Sequence, residues 1–143
     1  MARRSKWRIK EAVKIAEEAG LKALRTGAEA ILTEAIDETP IDTGTLRRSG
    51  TVTVGKLPDS ARIYEAAEAG NEMKDAFPEP VGKEKAVYIS FNTPYARRQH
   101  EELDYEHPRG GKAKYLEDPF NRNKNKVLKY ADKQIRKALK DAP

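Results

Sequence analysis

The sequence predicts an α+β fold with a long N-terminal helix, a small antiparallel sheet of three to four strands and a C-terminal helix. Three observations support this prediction. Apolar residues recur at helical spacing near the start, two short central segments alternate apolar and polar residues, and a second helical pattern closes the chain. A length of 143 residues suits one domain, so we expect a single domain over 1–143 with a long loop at about 66–84.

The first element is a predicted helix over residues 5–38. Two glycines, Gly20 and Gly27, lie on its apolar stripe, where each costs about 1 kcal/mol relative to alanine. We expect a continuous helix rather than a break at Gly20, with another backbone approaching closely at the glycines. Pro40 ends the helix, because the residue before a proline is pushed out of helical geometry. The stripe consists of Ile9, Val13, Ala16, Gly20, Leu24, Gly27, Ile31 and Ala35.

The middle of the chain contains the predicted strands. Residues 51–54 alternate as a strand does, and residues 85–92 form the clearest strand, with Val87, Ile89 and Phe91 on one face. Residues 61–64 fit a further strand, and residues 63–69 fit a helical turn equally well. The stretch after Ala69 is expected to be a long exposed loop, which in a compact domain is usually functional.

Two further helices follow the sheet. Residues 95–103 predict a short helix and residues 107–111 a turn. The last helix is expected to begin with Asp118 as its N-cap and Pro119 at its first helical position. Its apolar face is Phe120, Val127, Leu128, Ala131, Ile135, Ala138 and Leu139.

Composition limits the possible partners. Without cysteine there is no disulfide scaffold, and no apolar run is long enough for a membrane span or a signal peptide. We therefore expect a protein that stays inside a cell or is assembled into a particle there.

The net charge of +5 combines basic termini with an acidic stretch at 57–80. The basic ends could contact nucleic acid, but contact with acidic regions of neighbouring subunits, or plain solvation, is favoured because no base-reading motif is present.

The candidate catalytic motifs fail on chemical grounds. Asp42-Thr43-Gly44 matches the aspartic protease triplet, but it follows a polar helix end and precedes two arginines that would keep the carboxylate ionised. The stretch 100–107 contains His100, Asp104 and His107 but lacks the His-Glu-x-x-His zinc pattern, so a solvated helix face is favoured over a two-histidine metal site. We predict no catalytic residues, no cofactor and no metal.

Residues 40–50 are better explained as a structural loop. Asp42 can accept main-chain N–H bonds, Gly44 can adopt a positive φ, and Leu46 can anchor the loop to the core. Arg47 and Arg48 would then be presented to acids or phosphates. We expect both at a subunit or ring interface, and we expect their replacement by glutamate to block assembly while the monomer stays folded.

Two segments carry a family resemblance. The first matches at Pro40, Asp42, Thr43, Gly44, Leu46, Arg47 and Ser49, and the second at Tyr95, Ala96 and Glu101, followed by residues 107–117 and Asp118-Pro119-Phe120. With the long helix before them, these segments resemble the minor capsid or head–tail joining (tail-completion) proteins of long-tailed bacteriophages. The resemblance spans residues 5–140 and is loose between 55 and 85.

The resemblance implies a structural role without catalysis. Such proteins form rings, often of six copies, in the virion neck between the head-side connector and the tail tube or tail terminator, and DNA passes through the lumen without sequence-specific binding. The competing interpretation is a small nucleic-acid-binding protein that uses its basic termini. The residues expected at interfaces are Asp42, Thr43, Gly44, Leu46, Arg47, Arg48, Tyr95, Arg97, Glu101, Tyr115 and Phe120.

Overall fold

A computed structural model of the chain describes residues 2–41, 43–103, 105, 107 and 110–142, with side chains from residue 8 onward. Its elements, in chain order, are α1 (Ala2–Glu38), α2 (Thr45–Arg48), β1 (Thr51–Val54), α3 (Ser60–Glu68), β2 (Val87–Ser90), α4 (Ala96–Glu101) and α5 (Glu117–Lys140). The predicted α+β class, with its long first helix and its closing helix, is confirmed.

The predicted count of three to four strands is wrong: the sheet in the described part of the chain has two. The segment that could have supplied a third strand forms α3 instead. The Asp59 carboxylate accepts the main-chain N–H groups of Ala61 (3.2 Å) and Arg62 (3.4 Å), which caps a helix at that point. The helical alternative for this region is therefore the correct one, and the long loop begins after Glu68.

The two strands form an antiparallel pair in which Val52 lies opposite Ile89 and Val54 opposite Val87. Partners that face each other lie on the same side of a sheet, so these apolar side chains share one face. That face packs on α1 around Ala28 and Leu32, with Ile36 and Phe91 against the same cluster. The prediction that Val87, Ile89 and Phe91 lie on one face is confirmed.

Helices α1 and α5 pack antiparallel. A Cβ atom built on Gly27 would lie 2.4 Å from Val127 Cγ1, and one built on Gly20 would lie 3.3 Å from Ile135 Cδ1. The glycines therefore allow close approach, as predicted, but the group that approaches is a side chain of α5 rather than a backbone. Helix α1 is continuous through both positions, which confirms the prediction of an unbroken helix.

Helix α1 extends past the end of α5. The last turn of α5 lies level with Ile15 and Ala19, where Ala138 and Asp141 help to line a shared groove. Residues 2–14 continue α1 beyond this level, and Ile9 and Val13 among them are 64% and 52% exposed. At 1.5 Å per residue, this extension is about 20 Å long.

The start of α5 differs from the prediction. The helix begins at Glu117, with Leu116 rather than Asp118 at the N-cap, and Pro119 is its third residue. The first turn of a helix has no acceptors for its N–H groups, so a proline is tolerated at any of these positions. Asp118 instead pairs with Lys112. Helix α4 is also shorter than the predicted 95–103.

Candidate interaction surface

The two segments that carry the resemblance meet in the core. Leu46 from the first segment forms a buried cluster with Ala96 and Tyr115 from the second. The Tyr115 hydroxyl donates to the Ala96 carbonyl (2.8 Å), and its ring meets the edge of Phe91 at 5.0 Å between centroids. Two segments separated by about fifty residues of weaker resemblance thus form one structural unit.

The first segment is a tight joint between α1 and β1. Gly44 has φ 87°, a left-handed conformation that favours glycine, and its carbonyl accepts the Arg48 N–H (3.0 Å). Leu46 is 4% exposed and anchors the loop. The expectations for Gly44 and Leu46 are therefore confirmed. Asp42 lies outside the described residues.

The two adjacent arginines bind main-chain carbonyls within the subunit. Arg47 donates to the carbonyls of Thr39 (2.9 Å) and Asp37 (3.0 Å), and Arg48 donates to the carbonyl of Ala67 (2.8 Å). These acceptors lie at the C-terminal ends of α1 and α3, where helix carbonyls lack intrahelical donors. We therefore expect glutamate at both positions to destabilise the subunit, which corrects the expectation that the monomer would stay folded.

A buried polar pair joins the loop to the end of β2. Ser49 Oγ donates to the Leu46 carbonyl (2.7 Å) and accepts the Asn92 N–H (3.0 Å), while Asn92 Nδ2 donates to the Ser49 carbonyl (2.9 Å). Asn92 is 4% exposed. Sequence reasoning missed it, because an asparagine at the end of a predicted strand and before Thr-Pro is typical of a surface turn.

The second segment contains a charged cluster. Lys114 pairs with Glu101, which also lies 2.8 Å from His100 Nδ1. The hydrogen bond from Lys114, followed by the one from His100, holds the pKa of Glu101 below its usual value, and the bond to Glu101 raises the pKa of Lys114. His100 Nε2 accepts the N–H of Glu117 (3.2 Å), the first residue of α5. The Nε2 nitrogen of His100 thus connects α4 to α5, while its Nδ1 nitrogen contacts Glu101 within α4.

A groove of about 570 Å³ opens beside this cluster. Phe120, 47% exposed, lies on its rim, and Glu101 lines it as well. Tyr115 lies beneath His100, with 5.0 Å between the ring centroids, and burial raises the pKa of its phenol. The remaining lining residues are Val87, Ile89, Lys114, Leu116 and Glu117.

The structure sorts the predicted interface residues by exposure. Leu46 and Tyr115 are 4% and 1% exposed, so their side chains contact the core of their own subunit. Half-buried positions are Gly44, Arg47, Arg48 and Tyr95, and exposed ones are Thr43, Arg97, Glu101 and Phe120. The contact of the exposed residues with a neighbour stays a prediction.

The structure also bears on the metal site and the membrane span considered from the sequence. Within the described ranges, no three His, Asp or Glu side chains are grouped so that they could hold a metal ion. Asp104, a member of the possible two-histidine site, lies outside those ranges. None of the helices that the structure describes is both long enough and apolar enough to cross a membrane.

Comparison with known proteins gives one match. A family model described as "Bacteriophage HK97-gp10, putative tail-component" matches residues 6–96, which is more than half of the chain. The matched range includes α1 from residue 6 onward, the joint, both strands and the start of the second segment. Searches of curated proteins and of solved structures gave no match. The chain belongs to the HK97-gp10-like family of bacteriophage proteins.

Proposed function

We propose that this protein is a ring subunit of the neck of a long-tailed bacteriophage, where it joins the head connector to the tail tube or tail terminator. The whole chain acts as one head–tail joining domain, without catalysis, and it is assembled into the virion in the host cytoplasm. Membership of a family described as a tail component supports a structural place in the particle. Six copies per ring is the number that we propose from the resemblance.

The observation that carries the proposal is the apolar surface that a single subunit leaves uncovered. Ile9 and Val13 are exposed on the extension of α1, and Phe120 is exposed on the rim of the groove beside α4. Contiguous apolar surface that stays exposed on a subunit is typical of contacts with other proteins, and both the stripe of Ile9 and Val13 and the groove that Phe120 borders with Val87 and Ile89 are surfaces of this kind. A ring subunit inside a stacked neck needs several such surfaces, because it contacts two neighbours and the layers above and below.

The exposed members of the predicted interface are the best candidates for these contacts. Arg97 and Phe120 project from the region where α4 and the start of α5 meet. Arg47 and Arg48 support the interface indirectly, because they hold the ends of α1 and α3 in place. An interface test should therefore change the exposed residues and leave the two capping arginines intact.

Negative-stain imaging tests the proposal directly. Purified protein should form rings, or should add density to the head-proximal end of isolated tails when it is mixed with them. Arg97→Glu and Phe120→Asp should abolish the added density while circular dichroism stays unchanged. Lys22→Glu, an exposed change on α1, is the matched control and should retain it. A wild-type protein that stays monomeric and binds neither isolated tails nor heads would contradict the proposal.

A cationic stripe on α5 supports the second candidate, nucleic-acid binding. Five exposed cations follow the 3-4-3-4 spacing of one helix face, opposite the face that packs on α1, and they are Lys126, Lys129, Lys133, Arg136 and Lys140. In the neck, this stripe would face either the DNA in the lumen or an acidic partner. We propose that it makes no sequence-specific contact.

Salt dependence separates the two candidates. A dedicated DNA-binding protein should bind a duplex as an isolated monomer, and its affinity should fall steeply as salt rises, because each phosphate contact releases counterions. Lys126→Glu with Lys133→Glu should then reduce both the affinity and the salt slope. A neck subunit should bind free duplex weakly, and the double variant should still bind to isolated tails. Tight monomer binding to DNA without attachment to tails would favour the second candidate.

A further inference from the structure

We propose that two copies of the free protein pair through the outer edge of β2, so that their two-stranded sheets join into one antiparallel sheet of four strands. This inference goes beyond the proposed ring and does not rest on it. A twofold contact closes on itself and cannot continue around a ring, so the pair is a form of the protein before assembly. It covers the groove that Phe120 borders.

The pairing pattern of the sheet determines which main-chain groups of β2 point away from β1. In an antiparallel pair, hydrogen-bonded and non-hydrogen-bonded residue pairs alternate along the strands. The Gly55 N–H donates to the Ala86 carbonyl (2.9 Å), so the even-numbered positions of β2 are the ones hydrogen-bonded to β1. Val87 and Ile89 therefore direct their N–H and carbonyl groups toward the outer edge of the strand.

The outer edge of β2 is open, whereas that of β1 is closed. Every residue of β1 is buried, and the Val54 carbonyl on its outer edge accepts the Val81 N–H (2.9 Å). The residues of β2 are half-buried, and in the described part of the chain no hydrogen bond reaches the main-chain groups of Val87 or Ile89. A row of unpaired N–H and carbonyl groups on a strand edge is a template for a further strand.

The sequence of β2 favours a second copy as that further strand. Exposed strand edges are usually protected from pairing by charged side chains or by proline. Residues 86–92, Ala-Val-Tyr-Ile-Ser-Phe-Asn, contain neither, and they are rich in β-branched and aromatic residues that favour strands. Segments of this length and composition pair with identical segments, because no like charges are brought together.

The charges around the groove agree with an uncharged occupant. Lys114 pairs with Glu101 and with Glu117 (3.3 Å), so the cation on the groove wall is already compensated within the subunit. A strongly basic or acidic segment would find no free counter-charge in this cluster. The uncharged β2 of a second copy needs none.

One register uses all the outward-facing groups. Val87 of each copy lies opposite Ile89 of the other, and Tyr88 lies on the twofold axis. Side chains of facing residues lie on the same side of a sheet, so the two aliphatic side chains of the second copy enter the groove. The groove encloses about 570 Å³, and Leu116 and Phe120 provide its opposite apolar wall.

Disulfide trapping at the twofold axis tests the pairing, because the natural sequence has no cysteine. In this register the Cα atoms of the two residues at position 88 lie about 4.5 Å apart, which a disulfide can bridge. Ser90→Cys is the matched control on the same face of β2, since the two residues at position 90 lie about 13 Å apart, beyond the reach of a disulfide. Under mild oxidation, Tyr88→Cys should give about tenfold more covalent dimer than Ser90→Cys. Equal yields from the two variants would overturn the proposal.

Opposed charges at the same position give an independent test. Wild-type protein should show a monomer–dimer equilibrium in sedimentation velocity. Tyr88→Lys and Tyr88→Glu should each be monomeric, because identical charges face each other across the axis, and an equimolar mixture should recover the dimer. Recovery also shows that both variants are folded. A wild-type protein that is monomeric at every concentration reached, or a mixture that stays monomeric, would overturn the proposal.

Attachment to isolated tails separates this inference from the proposed function. The oxidised Tyr88→Cys dimer should bind tails less than its reduced form, because the groove beside Phe120 is covered in the dimer. Equal binding by the two forms would overturn the covering of this groove. A cross-linked dimer whose reduced form does not bind tails would support the pairing and contradict the neck role. Tail binding without cross-linking would support the neck role and remove the pairing.

Discussion

Gly27→Ala is the sharpest test of how α1 and α5 pack. The new methyl group would lie 2.4 Å and 2.8 Å from the two methyl carbons of Val127 and 3.1 Å from its Cβ. Rotation about χ1 cannot move all three atoms away, so the two helices must separate locally.

Two opposing terms set the expected magnitude. Alanine gains about 1 kcal/mol over glycine in a helix interior. Overpacking a well-filled contact costs about 1–3 kcal/mol, and the absence of a free rotamer places this case near the upper end. We therefore expect a net loss of about 1–2 kcal/mol in the free energy of unfolding, which corresponds to a fall of about 3–8 °C in Tm for a chain of this size.

Gly20→Ala is the matched control on the same stripe. Its nearest contact is a single atom, the terminal Cδ1 of Ile135 at 3.3 Å, which can move by a few tenths of an ångström. We expect this variant to be neutral or up to about 1 kcal/mol more stable, because only the helix-propensity gain remains. Urea denaturation followed by circular dichroism, at concentrations where the chain is monomeric, measures both variants.

A double variant tests the physical cause. Val127→Ala removes the atoms that clash, so Gly27→Ala with Val127→Ala should lose less stability than the sum of the two single changes, by about 1 kcal/mol or more. A Gly27→Ala protein as stable as the wild type, or additive losses in the cycle, would refute the reasoning and show that this contact does not set the spacing of the helices.

Three further predictions concern the joint and the charged cluster. Ser49→Ala should cost about 1–3 kcal/mol in urea unfolding, since it leaves buried groups unpaired, whereas the exposed Ser60→Ala should change stability by less than about 0.5 kcal/mol. Because Lys114 holds the folded-state pKa of Glu101 below its usual 4.5, this carboxylate stabilises the fold above that pH, and the contribution is lost as pH falls further. Glu101→Gln should therefore flatten the loss of Tm between pH 5 and pH 3, and an unchanged slope would contradict the pairing. Tyr115→Phe should cost about 1 kcal/mol, and a more stable variant would show that its hydroxyl bond contributes nothing.

Local signals predicted most of the secondary structure. The helical stripe indicated α1 without a break, the alternation at 51–54 indicated β1, and Gly44 indicated a left-handed turn. The third-strand alternative for residues 61–64 was wrong because Asp59, which precedes this segment in the sequence, caps α3. These features depend on bonds within a few residues, which is why the sequence alone indicates them.

The candidate site was only partly predictable for the opposite reason. The resemblance identified the two segments, but their contact through Leu46 and Tyr115 joins residues far apart in the chain. Arg47 and Arg48 looked free because no acid follows them in the sequence. Their actual acceptors are main-chain carbonyls, which no pattern of side chains reveals.

The sequence by itself determined the α+β class, the unbroken first helix, the family and the uneven distribution of charge, because periodicity, capping and net charge are properties of neighbouring residues. Only the tertiary structure decided which predicted interface residues are buried, which helix ends the arginines cap, and where α5 stops along α1. Because α5 ends level with Ile15, the side chains of Ile9 and Val13 stay exposed. These outcomes depend on how segments distant in the chain are placed, and that placement follows from the packing of whole elements such as α5 against Gly27.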